Sequence, residues 1–237
     1  MAVVALTRQH SSLGHSIGCM VADRLGYRVV DNTTVHVDAA QHGVWIEANG
    51  PDLEEHSPTL LERLRDERER NRAMLRCAVA NAAALDDVII IGLASAFILG
   101  VVQHVLKVAI IASDEVRVAR LQAQSEAEGR GALSNADALR MLRRSDRQRA
   151  DYLRYHFNAE WLDPFAHDLV INTNRSRAEH AVTQILHTLE RPEFHPTAES
   201  RERLTDLALN CQIDAEQLGH RPPPDDALAS SSWNWLR

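Results

Sequence analysis

Cysteine is scarce and poorly placed for chemistry. Cys19, Cys77 and Cys211 lie far apart with no C-x-x-C pair, so neither a disulfide framework nor a zinc site is expected, and all three read as small core residues. Twelve histidines are present, yet there is no H-E-x-x-H; His180 and His187 read as helix-surface or core residues, and no metal ligand is assigned. No Ser-His-Asp arrangement can be recognised from residue order. Positive charge is also short, and a net charge of −7 argues against a general nucleic-acid binder, which needs a concentrated positive surface. No apolar run reaches about 18 residues, and Met1 leads straight into a strand-like segment without a basic region, an apolar core and a cleavage site. A soluble, cytoplasmic protein is the expectation.

The 237 residues, 45% hydrophobic and 25% charged, suffice for one sizeable α/β domain, placed at 1–190, and an appendage at 191–237. The organising stretch is the first 25 residues. Ala2-Val3-Val4-Ala5-Leu6 reads as a buried strand, Thr7 to Gly14 as a polar turn, and His15 to Leu25 as a helix. A helix start offers unpaired N–H groups and the positive end of its dipole, which together make an anion site. The turn has no lysine and only Gly14 as glycine, so it matches neither G-x-x-x-x-G-K-[ST] nor G-x-G-x-x-G. From spacing alone two readings stand: a nucleotide site, or the first crossover of a parallel sheet.

Gly26 stops the first helix, and Tyr27 to Val30 form a second strand ending at Asp31-Asn32. Asp31 is either a contact for a substrate sugar or base, or the cap of a following helix. Residues 34 to 56 are read as a short helix and a loop, after which Ser57-Pro58 opens a long helix to about Leu85. Val88-Ile89-Ile90-Ile91-Gly92 has the composition of a central parallel strand, apolar on both faces. A short helical turn over Ala94 to Leu99 and a second buried strand over Val105 to Ala112 follow. Ser113 is the expected cap of the next helix, which fades at Gly129-Arg130-Gly131, and Ser134 to Asp137 open another. Between Arg140 and Arg154 six arginines meet two aspartates, and Arg140, Arg143, Arg144 and Arg147 fall largely on one helical side. That side is either a solvated face or a cluster closing over polyphosphate, since the guanidinium fork suits phosphate oxygens. A last strand over His167 to Thr173, a capping box at Ser176 to Glu179 with a helix to about Leu189, and one helix over 197 to 218 complete the chain; Gly219 to Arg237 is expected to be disordered. Strand and helix alternation predicts five parallel strands with helices on both faces.

With these pieces placed, residues 3 to about 190 resemble the cytidylate kinase-like family, P-loop proteins of the nucleoside monophosphate kinase fold. The resemblance lies in Leu6-Thr7-Arg8, Ile17-Gly18, Val30-Asp31, Ile91-Gly92 with Phe97-Ile98-Leu99, and Glu115 to Arg120. It continues through Asp146 to Tyr152 and through Trp161-Leu162-Asp163-Pro164 into Asp168 to Thr173. It implies a three-layer α/β/α P-loop kinase fold with an arginine-rich helical lid, using ATP and Mg2+. By resemblance Arg8, Ser11, Ser12, Gly14, His15 and Ser16 face ATP phosphates, Asp31 and Gly92 the acceptor, and Arg117, Arg120, Arg147 and Arg149 belong to the lid and its flanks. Family loops usually read Gly-Ser-Gly-Gly-Arg. Here Ser11 and Leu13 replace two glycines, His15 replaces the basic residue, and Leu93 stands where an arginine commonly follows the strand glycine. Two functional expectations follow: phosphoryl transfer from ATP to a pyrimidine monophosphate such as CMP, or a catalytically degenerate nucleotide-binding or regulatory module of the same fold.

Overall fold

The computed structural model describes residues 2–35 and 65–218. All but the first two residues of the short helix and loop expected over 34–56, the Ser57-Pro58 helix start and the expected disorder of 219–237 lie outside the described residues.

Strand β1 (Val3–Arg8) sits at the centre of the sheet because its apolar run can be buried on both faces, and Val3 to Leu6 are wholly inaccessible. It pairs in parallel with β3 (Val88–Ile91) on one side and β4 (Val105–Ile111) on the other. β2 (Arg28–Val30) flanks β3 and β5 (Leu169–Asn172) flanks β4, giving the order β2-β3-β1-β4-β5. All four pairings are parallel. The five expected strands are therefore present.

Helices cover both faces. One face is closed by α1 (Gly14–Leu25) and α6 (Ala178–Leu189), whose Ile17, Val21, Val182 and Ile185 pack with Val4, Leu6, Ile89 and Ile91. The other is closed by α2 (Arg65–Ala84), the four-residue α3 (Ser95–Ile98) and α7 (Ala198–Gln217). Leu204, Ala208, Cys211 and Ala215 of α7 join Cys77, Ala78 and the sheet residues Val3, Ala5 and Ile90 in one core. The helix placed in the appendage by composition thus lies on the same core as the sheet. Cys77 and Cys211 are buried there, and burial pushes the Cys77 thiol up to about 11.

Helices α4 (Asp114–Ala127) and α5 (Asn135–Phe157) carry the arginines. Their caps differ from expectation in part. Ser134 accepts from the Asp137 amide as foreseen, whereas Ser113 occupies the cap of α4 without a side-chain cap bond. The expected box at Ser176 is not formed: α6 begins at Ala178 behind Arg177, which makes no cap bond. A reciprocal box occurs instead at Thr197 and Ser200 of α7. There the third helical residue is a serine, short enough for its hydroxyl to fold back on the Thr197 amide.

Candidate functional site

The loop between β1 and α1 is tied down at its first residue. The Gln9 amide donates to the Ile110 carbonyl at 3.1 Å, and its side-chain oxygen accepts from the Ala112 amide at 2.9 Å. Ser12, fully buried, turns its hydroxyl back onto the Gln9 carbonyl at 2.8 Å. The two positions where glycines were expected hold left-handed backbone, with φ of 58° at Ser11 and 70° at Leu13. Each such residue carries a cost of about 1–3 kcal/mol and persists only where its surroundings over-determine it. The loop therefore keeps a glycine-type course with side chains in place. Leu13 heads α1 and supplies no side-chain cap, so the first-turn N–H groups are left for another acceptor. Gly14 cannot be larger: a Cβ there would lie 2.5 Å from Arg8 Cβ.

His15 and Ser16, next in line, are exposed. The His15 imidazole sets Nδ1 3.9 Å from Asp31 Oδ2 and Nε2 3.6 Å from Cys19 Sγ. Burial, then the Asp31 and Asp23 charges, push the Cys19 thiol up, so it remains protonated beside the ring. Asp31 takes the capping role that the sequence offered as one of two readings. Its Oδ1 accepts from the Thr33 amide and hydroxyl at 2.9 and 2.7 Å and from the Thr34 amide at 3.2 Å, as a cap does, while Oδ2 faces His15. Burial drives its carboxyl upward, but those Thr33 and Thr34 bonds, with His15, outweigh burial and hold it below its ordinary value. Gly92, at φ 78°, donates its amide to the Leu6 carbonyl at 2.8 Å and turns the chain away from the sheet. Leu93, which follows it, is fully buried in the core at φ 59°.

The four candidate arginines are distributed unequally. Arg117, 2% exposed, bridges the two arginine helices, reaching Asp146 at 2.8 Å and Asp114 at 2.5 Å. Burial outweighs Arg117 at Asp146 and raises that carboxyl above its ordinary value. Arg149, 3% exposed, donates to the Ser145 hydroxyl at 2.9 Å and lies over the Trp161 ring at 5.7 Å. Arg120 turns inward to the loop, donating to the Thr173 carbonyl at 2.7 Å, the Thr173 hydroxyl at 2.9 Å and the Ser11 carbonyl at 3.4 Å. Arg147 is exposed and, with Arg140, Arg143 and Arg144, lines a groove of about 600 Å³ along α5. The structure thus brings Ser11, Ser12 and Arg120 together and His15 to Asp31, while Arg117 and Arg149 are held inside and Arg147 faces outward. Arg8 ends β1 half-buried against Gly14. Sequence reasoning did not single out Gln9, Asp146 or Thr173. Thr173 alone gave a signal, standing at the carboxyl end of a strand, where α/β crevices take their polar groups.

A parallel sheet in this order, with a loop from its central strand running into the first helix under left-handed backbone, defines a P-loop kinase fold. The chain belongs to the cytidylate kinase-like family, whose model matches residues 3–175. Among curated proteins none matches the sequence. Of solved structures, an uncharacterized protein from Eubacterium ventriosum aligns over 81% of this chain and 100% of its own, with 16% identity and a TM-score of 0.58. A shikimate kinase from Bacteroides thetaiotaomicron aligns over 80% and 99%, with 15% identity and a TM-score of 0.45. A gluconokinase from Sinorhizobium meliloti aligns over 90% and 97%, with 12% identity and a TM-score of 0.42. The family and the fold support a nucleotide kinase-like function. Among the described residues no helix is long and apolar enough to cross a membrane.

Proposed function

We propose that the protein transfers the γ-phosphoryl group of ATP to a pyrimidine nucleoside monophosphate such as CMP, working as a soluble cytoplasmic protein. The observation that carries this reading is the retained loop: Ser11 and Leu13 stay in left-handed backbone at an energetic cost, ahead of an uncapped helix start. Strain of that kind collects at binding sites.

The chain's residues fit a polyphosphate. The loop amides and the α1 N-terminus would receive its oxygens, Ser12 would hold the turn, and the exposed Ser16 hydroxyl offers an oxygen ligand. Ser11 Oγ is buried without a hydrogen-bond partner, a further polar group on the loop whose bonding is incomplete. Among the described residues no cluster of three His, Cys, Asp or Glu forms a metal cage. Mg2+ would therefore be held chiefly by nucleotide phosphates and water, and would supply charge neutralisation when bound. Asp31, its capping oxygen fixed, would present Oδ2 and His15 to the acceptor side. Arg147 and its neighbours on α5 would meet the transferring phosphate. Catalysis of this type is mostly positioning and electrostatics. The test is ADP formation from ATP and Mg2+ at millimolar substrate. CMP-dependent turnover supports the proposal, and its absence overturns it.

A second reading, a catalytically degenerate nucleotide-binding or regulatory module, is favoured by one observation: Arg117, Arg120 and Arg149 are already bonded within the protein. Calorimetric titration beside the turnover assay separates the two, since the module would bind ATP or CMP without forming ADP.

A further inference from the structure

Thr173 follows β5 and is completely buried. Its amide donates to the Ile111 carbonyl at 2.9 Å, fixing it to β4. Its hydroxyl lies 2.9 Å from the Ser12 carbonyl, the nearer of two acceptors, the other being the Ile111 carbonyl at 3.2 Å. The same hydroxyl accepts from Arg120 Nη1, whose second nitrogen donates to the Thr173 carbonyl, while Nη1 also reaches the Ser11 carbonyl. One threonine and one arginine therefore hold two successive loop carbonyls, at Ser11 and at Ser12. Those residues begin the stretch that ends in the second left-handed position, Leu13.

We propose that Thr173 and Arg120 form a clasp that holds the first loop in its phosphate-binding shape, doing by hydrogen bonding what glycines would do by conformational freedom. A trans peptide unit sets its C=O and N–H on opposite sides. Holding the Ser12 carbonyl on Thr173 turns the Leu13 amide away from β5, into the set of N–H groups at the start of α1. Without the clasp, Ser11 and Leu13 relax toward negative φ, where side chains are comfortable, and the amides lose their common direction. Thr173 and Arg120 are positioning residues in this account. The inference rests on the phosphate-binding reading of the loop, and its test is built so that the two fail separately.

Thr173→Val keeps the shape of the side chain and removes all three hydroxyl contacts. ADP affinity, measured by calorimetry on the full chain, is expected to weaken by about tenfold, with Thr173→Ser within about threefold of wild type. Exchange of loop amides 9–16 is expected to quicken in the valine variant while exchange in β1 and β3 is unchanged. Adding Ser11→Gly and Leu13→Gly to Thr173→Val should restore affinity, because glycine adopts positive φ without the clasp. A merely structural role for Thr173 would not be rescued by loop glycines. Wild-type affinity and loop exchange in Thr173→Val, or a triple variant as weak as the single one, overturns the clasp. If the wild type binds neither ATP nor ADP, the phosphate-binding reading fails, and loop exchange alone still decides whether the clasp exists.

Discussion

The β1–α1 loop and the α4–α5 arginine helices differ from what the sequence leads one to expect in opposite ways. The loop carries Ser11 and Leu13 where glycines are expected, yet both follow left-handed backbone; Thr173 and Arg120 hold its carbonyls, and Gln9 ties its start to the end of β4. The arginine helices keep their arginines, but Arg117 and Arg149 are buried against Asp114, Asp146, Ser145 and Trp161. One region keeps a glycine-type course without glycines; the other turns expected lid arginines to internal roles.

The largest effect should come from breaking the arginine side. Arg117→Ala leaves the half-buried Asp146 with its main partner gone, and breaking a pair with one wholly buried member costs up to about 3–5 kcal/mol. Chemical denaturation should register that loss. Unchanged stability with abolished turnover would mean that Arg117 is available to substrate and would erase the contrast drawn here.

Arg147→Ala tests the outward face of the same helix. Surface substitutions usually move stability by less than about 0.5 kcal/mol, so folding should be untouched. Turnover should fall by about 10²–10³, the typical loss for one donor aimed at developing charge, with CMP-dependent ADP formation as the measure. Wild-type turnover in this variant would place the phosphate-facing cation elsewhere.

On the loop side the expected sign is reversed. Replacing both Ser11 and Leu13 by glycine removes side-chain strain and should stabilise the protein by about 1 kcal/mol, read as a higher denaturation midpoint. A loss of stability would mean that the Ser11 and Leu13 side chains contribute packing worth more than the strain they bring.

The fold was legible because its signals are regional. Val88 to Ile91 is apolar on both faces and so fits an interior parallel strand, although the central place expected for it belongs to β1, and Gly26 and Gly129 mark real helix ends. Caps were legible where a side chain could reach an amide, as at Ser134. They failed at Ser176, because the backbone enters the helix one residue later than the pattern suggests, which puts Arg177 at the cap. The strain at Ser11 and Leu13 could be anticipated, since the positions they fill normally need glycine. What the sequence could not convey was the choice of partner. Nothing in Arg117, Arg120 or Arg147 by itself separates an arginine that meets Asp146, 29 positions away, from one that meets Thr173, 53 positions away, or one that meets solvent. Such pairings are made by tertiary contact between helices and strand ends, and leave no local period.

The smallest expected effect is the most direct measure of the difference between the two regions, because it predicts opposite signs for two aspartates. Asp31, on the loop side, sits below its ordinary value of 3.8, so its ionised form stabilises the fold above that pH, and this contribution is lost as pH falls through the lower folded value. Asp146, on the arginine side, sits above 3.8, so the folded protein takes up this proton before the unfolded chain does. Its contribution is present below 3.8 and lost as pH rises through the raised value. Between pH 5 and 3 the fall in unfolding free energy should be shallower in Asp31→Asn than in wild type, and steeper in Asp146→Asn, whose offsetting gain has been removed. Urea denaturation across that range measures both slopes. Slopes that change in the same direction would mean that the burial of Asp146 does not outweigh Arg117, and that the arginine side is held by charge attraction much as the loop side is.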